Sequence, residues 1–395
     1  MTAGAGDRLL LPAAVRARIA AARSPEVAAR IGIAIGGTVT LCFVTGLISH
    51  WIQHPPSWFA WPAHPVWLYR VTQGTHVVSG VITIPLVLVK LWSVYPRLFA
   101  RPILGNPLRV AERGAIAMLV GSILFQLATG LCNIAQFYPW RFFFTTTHYA
   151  MAYIAFGALA IHLAVTLPVV RDVLTRRGPG PRADADAAHR PRRSTAAAVA
   201  PRRVVLTAAA VSAAVAGLSI AGQSVPWLRR VSVLAPRSGT GPQAVPINRT
   251  ARQAAVVERA LDPDYRLTVA VGSRIRAFSR AELTSLPQHA AVLPMACVEG
   301  WSVSAHWSGI RLRDLLAAVG GYGGGEVTVR SLEQGGLYSS SSLPHPHVVD
   351  DSTLIALRLN GSDLDVDHGF PCRLIAPNRP GVLQTKWLSR IEAGP

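Results

Sequence analysis

The sequence predicts a multidomain protein: an all-α membrane part with a four-helix bundle and one further anchor helix, then an α+β, β-rich domain outside the membrane. Hydrophobic residues make up 50% of the 395 residues and charged residues only 15%, which is the balance of a membrane protein. Five segments are long and apolar enough for a helix to cross the roughly 30 Å of hydrocarbon. After them the chain changes to short β-prone runs between Gly and Pro turns, which is typical of a β-rich domain.

The five apolar segments divide the chain into its predicted parts. The first four form a membrane domain at 31–170, between a cytoplasmic N-terminal segment at 1–30 and a cytoplasmic linker at 171–203. The linker is rich in Pro, Arg and Ala and has no apolar period. The fifth segment is an anchor helix at 204–222, and the soluble domain occupies 245–395. The apolar segments themselves lie at 31–50, 72–93, 112–134, 147–169 and 204–222.

The arginines predict the orientation of the chain in the membrane. They cluster before the first apolar segment, between the second and third, and between the fourth and fifth, whereas the other two loops carry little more than Arg70 and Arg141. Because basic loops stay in the cytoplasm, we expect a multi-pass protein of the cytoplasmic membrane with a cytoplasmic N-terminus and an extracytoplasmic C-terminal domain. The formal net charge of +19 is explained by these loops and by contact with lipid, so no nucleic-acid partner is expected.

An internal repeat relates residues 31–93 to residues 112–169. A Thr-Gly-Leu run lies near the end of the first and third segments, and His76 and His148 open the second and fourth. Ionisable residues inside a bilayer are costly and mark functional sites, and two neutral imidazoles in a four-helix bundle can form the axial pair of a haem iron. We therefore predict haem b on His76 and His148. The alternative is a pair of interfacial histidines that hydrogen-bond loops or headgroups.

A second haem is left open by His162, which follows His148 by about four helical turns and shares its face. Residues 31–170 resemble the cytochrome b subunits of respiratory formate dehydrogenases, and that resemblance implies ligands to two stacked haems on one helix. This sequence departs from the pattern, because Lys90 occupies the position that the repeat equates with His162. The Lys90 side chain can instead extend to the cytoplasmic interface.

Cys297 lies in the most informative run of the C-terminal part, Ala-Cys-Val-Glu-Gly-Trp-Ser. It has no neighbouring cysteine for a disulfide, and a soft thiolate suits a transition metal. Two alternatives remain at this point: a buried free thiol, and a nucleophile with His306 as its base. Cys372 is expected to be a buried small residue, and the serine run at 339–342 is expected to be a solvated loop.

Three motifs occur in order: the Cys-x-Glu-Gly-Trp-Ser run, a Trp-x-Gly-x-x-Leu-x-x-Leu-Leu run from Trp307, and His-Gly-Phe-Pro-Cys-Arg-Leu-Ile-Ala-Pro from His368 with Lys-Trp downstream. Residues 245–395 thereby resemble the molybdopterin-binding domain of the sulfite oxidase superfamily and, within it, the catalytic subunit of the periplasmic methionine-sulfoxide reductases. The resemblance implies that Cys297 ligates molybdenum. It also implies a set of residues that hold the pterin and its phosphate: His368, Arg373, Gln384, Thr385 and Lys386, and more loosely Asn248, Arg252 and Ser331.

These expectations combine into one function. The chain is predicted to be a membrane-bound molybdopterin-dependent oxidoreductase that transfers an oxygen atom to or from a sulfur-type substrate, small or protein-bound, and exchanges electrons with the quinone pool through haem b. An anionic substrate would need further cations, for which Arg311, Arg330 and Arg379 are candidates. The alternatives are a non-catalytic membrane sensor or assembly protein that retains the cofactor fold, and a cytochrome joined to an unrelated cysteine hydrolase.

The start of the fifth segment predicts how the domain leaves the cytoplasm. Arg202 and Arg203 precede a mildly apolar helix rich in Ala and Gly, which resembles a twin-arginine export signal used as an internal anchor. Such a signal suits a domain that receives its cofactor in the cytoplasm and crosses the membrane folded. The alternative is that the two arginines only anchor the helix on the cytoplasmic side.

Overall fold

The structure, a computed structural model, describes residues 12–99, 107–175, 195–235, 241–336 and 338–394. The start of the predicted N-terminal segment, 1–11, and the middle of the predicted linker, 176–194, lie outside the described residues. The described ends of that linker, 171–175 and 195–203, are helical, so the neighbouring helices extend into the segment that composition assigned to the linker.

Long helices fill the described part of the chain before residue 222. They are α1 (Ala13–Ala22), α2 (Pro25–Gln53), α3 (Leu68–Leu98), α4 (Pro107–Ile134), α5 (Phe144–Thr175) and α6 (Thr195–Ala221). Of these, α2 to α6 are long and apolar enough to cross a membrane, and their most apolar stretches bury at most 33% of their residues. Five such helices are compatible with a multi-pass membrane protein, since exposed apolar surface of this extent suits lipid rather than water.

The chain divides into two compact units. A helical unit comprises Met1–Val44 and Val77–Leu218, and a second unit comprises Thr45–His76 and Ser219–Pro395. Within the helical unit one apolar cluster joins all five long helices. Its members include Ile31 of α2, Leu86 of α3, Ile123 of α4, Ala155 of α5 and Ala209 of α6.

The second unit contains two sheets, whose strands are β1 (Arg266–Val271), β2 (Arg274–Ser279), β3 (His289–Ala296), β4 (Ser302–Arg311), β5 (Val327–Ser331), β6 (Ser340–Leu343), β7 (Leu354–Leu359), β8 (Ser362–Asp363), β9 (Arg373–Ile375) and β10 (Leu388–Ala393). One sheet has the order β2-β1-β10-β5-β6; the other has β3-β4-β7-β8, with β9 paired to β7. Among the described strand-to-strand pairs, β1–β10 is parallel and the others are antiparallel. A helical N-terminal region followed by a sheet-rich C-terminal domain confirms the predicted multidomain architecture.

Short helices connect these strands: α7 (Val257–Ala260), α8 (Arg280–Ser285), α9 (Leu312–Ala317) and α10 (His345–Val348). The largest apolar cluster of the domain contains Leu267 and Ile391 from one sheet, Ile310 and Ile355 from the other, and Leu315 from α9. Burial of these side chains packs the two sheets against each other around α9. The loop between β3 and β4 and the segment between β9 and β10 are thereby held at one side of this core.

The serine run at 339–342 is not a solvated loop, as the sequence suggested. Residues 340–342 belong to β6, which pairs with β5, and burial alternates along this strand. Ser341 is 7% exposed, and its hydroxyl lies 2.7 Å from the hydroxyl of Thr385. Pairing with β5 and this buried hydrogen bond place the run in the sheet, although serine has no strong preference for strands.

The segment 45–76 belongs to the same unit as the C-terminal domain, and Asn378 binds it through three hydrogen bonds. Its carbonyl accepts from the indole N–H of Trp61 at 2.7 Å. Its side-chain oxygen accepts from the main-chain N–H of Tyr69 at 2.7 Å, and its amide nitrogen donates to the carbonyl of Pro62 at 2.7 Å. The connection between α2 and α3 is thus a structural part of the sheet-rich unit.

Candidate functional site

Cys297 is the first residue after β3 and begins a tight loop at 297–301. Its main-chain N–H donates to the carbonyl of Trp301 at 2.9 Å, and its carbonyl accepts from the N–H of Gly300 at 3.0 Å. Gly300 has a φ of +96°, a conformation that glycine adopts without strain. These bonds fix the main chain of Cys297, whose residue surface is only 1% exposed.

A cavity lies beside this loop, with about 650 Å³ of empty space that is partly open to solvent. Eight of the nine residues predicted for the molybdenum and pterin site line it. They are Cys297, Asn248, Ser331, His368, Arg373, Gln384, Thr385 and Lys386. The ninth, Arg252, does not line the cavity, and its side chain is exposed.

Arg373 is buried in the wall of the cavity, and the groups that accept hydrogen bonds from its guanidinium are uncharged. It donates to the carbonyl of His368 at 2.9 Å and to the carbonyl of Gln384 at 3.0 Å, and the guanidinium lies 5.2 Å from the ring centroid of Trp307. Its Nε has no hydrogen-bond partner among the described residues. Burial lowers the pKa of Arg373 to about 9, because carbonyls compensate a buried positive charge only in part.

Lys386 brings a second cation to the same cavity. Its ammonium donates to the carbonyls of Arg249 at 2.5 Å and Asp367 at 3.0 Å, and it lies 4.4 Å from the ring centroid of Trp387. Burial and then the positive charge of Arg373 lower the pKa of Lys386 to about 7. The cavity therefore holds excess positive charge, which an anion would stabilise.

His368 is neutral in this setting. Burial lowers the pKa of His368 to about 4, and its Nε2–H donates to the carbonyl of Pro242 at 2.7 Å. The histidine therefore presents a fixed ring to the cavity rather than a charge.

The other predicted pterin residues use their side chains to build the cavity wall. The amide of Gln384 accepts from the N–H of Ala376 at 2.7 Å and donates to the carbonyl of Ala376 at 3.0 Å. The hydroxyl of Ser331 donates to the carbonyl of Lys386 at 2.8 Å. These bonds hold the segment between β9 and β10 in position, a role that the sequence did not distinguish from direct contact with a ligand.

Sequence reasoning missed several lining residues, among them an ion pair. Arg249 lies 2.7 Å from the carboxylate of Glu333, and both line the cavity together with Tyr338 and Trp301. Trp301 is 3% exposed and donates its indole N–H to Glu299 at 3.0 Å. The one feature of the sequence that could have indicated Arg249 is its position directly after Asn248, which was predicted to contact the pterin.

The proposed substrate cations lie elsewhere. Arg311, Arg330 and Arg379 are not among the residues that line the cavity. Arg330 pairs with Glu392 at 3.0 Å, and Arg379 is buried and donates to a main-chain carbonyl of β6. The candidate hydrolytic base, His306, is exposed on β4 and does not line the cavity either.

The donor set fits an anionic, thiolate-bound metal cofactor. Cys297 supplies a soft sulfur ligand, and Arg373 and Lys386 supply two buried cations for a phosphate. The partnerless Nε of Arg373 and the lowered pKa of Lys386 both identify positive charge that the described protein groups leave under-compensated. The cavity is therefore built to receive negative charge beside the thiol.

Retention of a phosphate-bearing cofactor is expected to weaken as the pH rises above about 7. Without an anion, the pKa of Lys386 is about 7, and an anion bound in the cavity raises it. The attraction between the Lys386 ammonium and the anion is therefore fully present below about pH 7. It is lost as the pH rises through the higher pKa that Lys386 has when the anion is bound. In Lys386→Met, retention should fall by about 10-fold or more at neutral pH, as for a lost charge-assisted hydrogen bond, and should no longer depend on pH in this range. Pterin and molybdenum bound to the full chain after incubation at pH 6 and pH 9 measure this effect.

Arg330→Met is the matched control, because it removes a cation of the same domain that pairs with Glu392 away from the cavity. Equal cofactor loss in both variants would contradict the assigned role of Lys386.

The predicted haem histidines make the same hydrogen bond in both halves of the repeat. In the second unit, the Nδ1 of His76 lies 3.2 Å from the hydroxyl of Thr45. In the helical unit, the Nδ1 of His148 lies 3.1 Å from the hydroxyl of Thr129. A partner at Nδ1 fixes the ring and makes Nε2 the nitrogen for a metal. The sequence identified the Thr-Gly-Leu runs as a repeat but not as the partners of the histidines.

The glycines of these runs lie under the rings. A Cβ placed on Gly46 would come within 3.0 Å of the Cε1 of His76, so a larger residue there would displace the imidazole. At the inner level, Lys90 donates to the carbonyl of Ala28 at 2.6 Å. That bond gives the Lys90 ammonium a main-chain partner within the helical unit.

Comparisons with known proteins agree with the cofactor that the cavity was predicted to bind. A family model described as the oxidoreductase molybdopterin binding domain matches residues 254–394. The sulfite oxidase of Gallus gallus is 31% identical over 166 residues, which are 34% of this chain and 36% of that protein. The mitochondrial sulfite oxidase of Homo sapiens is 30% identical over 164 residues, which are 34% of this chain and 30% of that protein.

One solved structure, the sulfane dehydrogenase of Paracoccus pantotrophus, is 24% identical in sequence and has a TM-score of 0.31. The match covers 34% of this chain and 40% of the dehydrogenase chain. A likeness this slight has no bearing on function. The chain spans about a third of the length of the curated relatives it matches. Residues 254–394 are an oxidoreductase molybdopterin-binding domain of the sulfite oxidase type, and its similarities are to molybdenum cofactor-dependent oxidoreductases.

Proposed function

We propose that this protein, with its sulfite oxidase-type domain, is a membrane-bound oxidoreductase that transfers an oxygen atom to or from a sulfur-type substrate outside the membrane. Electrons are exchanged with the quinone pool through haem b. The observation that carries the proposal is the buried thiol of Cys297 beside the two cations Arg373 and Lys386 in one cavity. When bound, the molybdenum cofactor supplies two-electron oxygen-atom chemistry and the haem supplies single-electron transfer.

The residues of the cavity have separate tasks in this proposal. Cys297 binds the metal through its thiolate, and the hydrogen bonds of the loop at 297–301 hold the sulfur in place. Arg373 and Lys386 bind the phosphate of the pterin, while His368 stays neutral and contributes a fixed ring. The indole of Trp301, fixed by Glu299, excludes water from the thiol side of the cavity.

His76 and His148 are the residues that would hold haem b through their imidazoles. The support is the repeated hydrogen bond between Nδ1 and a threonine hydroxyl, which is that of Thr45 in one half and that of Thr129 in the other. A second haem at His162 is not part of the proposal, since Lys90 holds the repeat-equivalent position and donates to a main-chain carbonyl.

The proposed topology has the N-terminus in the cytoplasm and the molybdopterin domain outside, with Arg202 and Arg203 as an export signal that remains as an anchor. In the folded helical unit Arg202 also pairs with Glu26 at 3.1 Å, so a structural role must be separated from the export role. Replacing both arginines by lysine keeps the positive charge and should leave the domain in the cytoplasm. Glu26→Gln should break the ion pair and leave export intact. Protease access from the outer side of intact cells distinguishes them, and an exported, metal-loaded double-lysine protein would refute the signal.

The two rival functions make different demands on the site. A cysteine hydrolase needs a base beside Cys297, and the exposed position of His306 outside the cavity lining disfavours it. A sensor or assembly protein that only retains the fold would need no turnover at the metal.

Optical and metal analysis of the purified full-length protein tests the proposal. We expect molybdenum and a haem b spectrum in the same preparation, and reoxidation of the reduced haem by a sulfoxide or reduction of the oxidised haem by a sulfite-like anion. Absence of both cofactors would refute the function. Both cofactors without any electron exchange on addition of substrate would favour the sensor.

A further inference from the structure

The loop that carries Cys297 is held by residues outside the part of the chain that matches the family. The carbonyl of Val298 accepts from the side-chain amide of Gln73 at 2.9 Å. The carbonyl of Gly300 accepts from the hydroxyl of Ser224 at 3.1 Å. Residues 254–394 contain neither donor, so the main chain next to the thiol is positioned in part by segments that precede this domain.

Gln73 differs from Ser224 in its place on the chain. It is 5% exposed and lies on α3, one turn before His76. Positions three apart on a helix lie on neighbouring parts of the same face. The imidazole of His76 is itself fixed by Thr45 at 3.2 Å. One helical turn and one hydrogen bond therefore connect this imidazole with the peptide next to Cys297.

We propose that Gln73 is the bridge through which electrons pass between the molybdenum held by Cys297 and the haem held by His76; the proposal rests on the function proposed above. The route runs from the Cys297 sulfur along the main chain to the carbonyl of Val298. It then crosses the hydrogen bond to Gln73 and follows α3 to the ring of His76. Electron tunnelling weakens more steeply across a van der Waals gap than along covalent and hydrogen bonds, so a single buried hydrogen bond sets the efficiency of such a route.

The electron balance of the route follows from the proposed chemistry. Transfer of one oxygen atom to or from the substrate moves two electrons and, with water as the source or the product of that oxygen, releases or takes up two protons. The haem iron changes by one electron at a time, so the bridge is used twice in each turnover. The quinone pool accepts or supplies the pair.

The packing around Gln73 keeps the distance between its amide and the carbonyl of Val298 constant. Gly74 meets the loop after α6 so closely that a Cβ at this position would lie 2.8 Å from the Cβ of Ser224. Arg70, one turn earlier on α3, donates to the hydroxyls of Ser302 at 2.7 Å and Ser304 at 2.9 Å. The start of α3 is thus fixed to both ends of the Cys297 loop, which is what a bridge of constant length requires.

Gln73→Met tests the bridge in the full chain with both cofactors, because methionine has a similar length and no donor. We expect the haem spectrum and the molybdenum content to be unchanged, as well as turnover with a soluble dye that exchanges electrons directly at the molybdenum site. The change in haem oxidation state that the substrate causes in a single turnover, whether oxidation by a sulfoxide or reduction by a sulfite-like anion, should slow by about 10-fold or more, the range seen when outer partners of a metal site are removed. Should Gln73→Met lose a cofactor, Gln73→Asn keeps an amide of shorter reach and is measured in its place.

Gln53→Met is the matched control, since the amide of Gln53 donates within α2, to the carbonyl of Ser49 at 3.0 Å and to its hydroxyl at 3.5 Å. If the rate at which substrate oxidises or reduces the haem is unchanged in the Gln73 variant, the bridge is overturned. An equal loss of dye-linked turnover would also overturn it, because Gln73 would then only shape the metal site. A wild-type protein without haem would refute the proposed function itself, and the spectrum reveals that case before any variant is compared.

Discussion

Cys297→Ser is expected to lower the oxidoreductase activity by at least about 100-fold. Losing a residue that only hydrogen-bonds to a metal ligand lowers activity by up to about 100-fold, and Cys297 is the proposed ligand itself. A serine hydroxyl is a hard and weakly acidic donor, whereas the thiolate of Cys297 is a soft and strongly donating ligand. The loop at 297–301 is held by main-chain bonds, so the exchange should leave the fold and the pterin in place. Activity and the number of sulfur ligands in the molybdenum X-ray absorption spectrum measure the effect.

Cys372→Ser is the matched control for this prediction. Cys372 is fully buried in the same domain and lies 3.2 Å from the hydroxyl of Tyr265. Because burial raises the pKa of its thiol to about 12, Cys372 remains a thiol at neutral pH. This variant should keep its activity and its molybdenum–sulfur bonds. Full activity of Cys297→Ser, or equal loss in both variants, would contradict the assignment of the metal ligand.

His76→Ala is expected to abolish the low-spin haem b spectrum of the purified protein, because a haem with two axial imidazoles loses one of them. Thr45→Val should act in the same direction with a smaller effect, lowering haem affinity by about 10- to 100-fold through loss of the bond that orients the ring. Since the same bond occurs in the other half of the repeat, Thr129→Val should match Thr45→Val. Absorbance of the haem per chain and its loss on dilution are the measurements.

His54→Ala serves as the control for the haem prediction. The ring of His54 lies 4.9 Å from that of His50 at the end of α2, and neither histidine has a counterpart in the repeat. Its removal should leave the spectrum unchanged. A normal spectrum in His76→Ala would assign the histidine to the loops or headgroups instead.

Local pattern predicted much of this fold. Apolar runs identified all five long helices, since a span of hydrocarbon requires a continuous run of suitable residues. The helices extend past those runs, because polar residues such as Glu26 and Arg171 continue a helix once it has begun. Short β-prone runs predicted the strand-rich C-terminal domain, in which β1 spans Arg266–Val271.

The site was predicted where its residues lie in motifs and was missed where distant residues meet. Cys297 and the segment from His368 to Lys386 carry distinctive neighbours along the chain. The pair Arg249–Glu333 and the bond from Gln73 to Val298 join residues that share no local pattern, so no spacing rule identifies them. Ser341 was misread for a related reason, because its place in β6 depends on Thr385 and not on its neighbours in sequence.

The bonds of Asn378 bear on how the polypeptide is assembled. Trp61 and Asn378 are 317 positions apart, so the ribosome makes the connection between the first two long helices well before the segment that docks on it. Part of the surface that receives the sheet-rich domain is therefore synthesised first. A fragment that begins at the sixth helix would lack the partners of both Asn378 and Val298. The sheet-rich domain and the connection between the first two long helices are therefore parts of one folded unit, and dividing the gene between them would leave these hydrogen bonds unmade in both products.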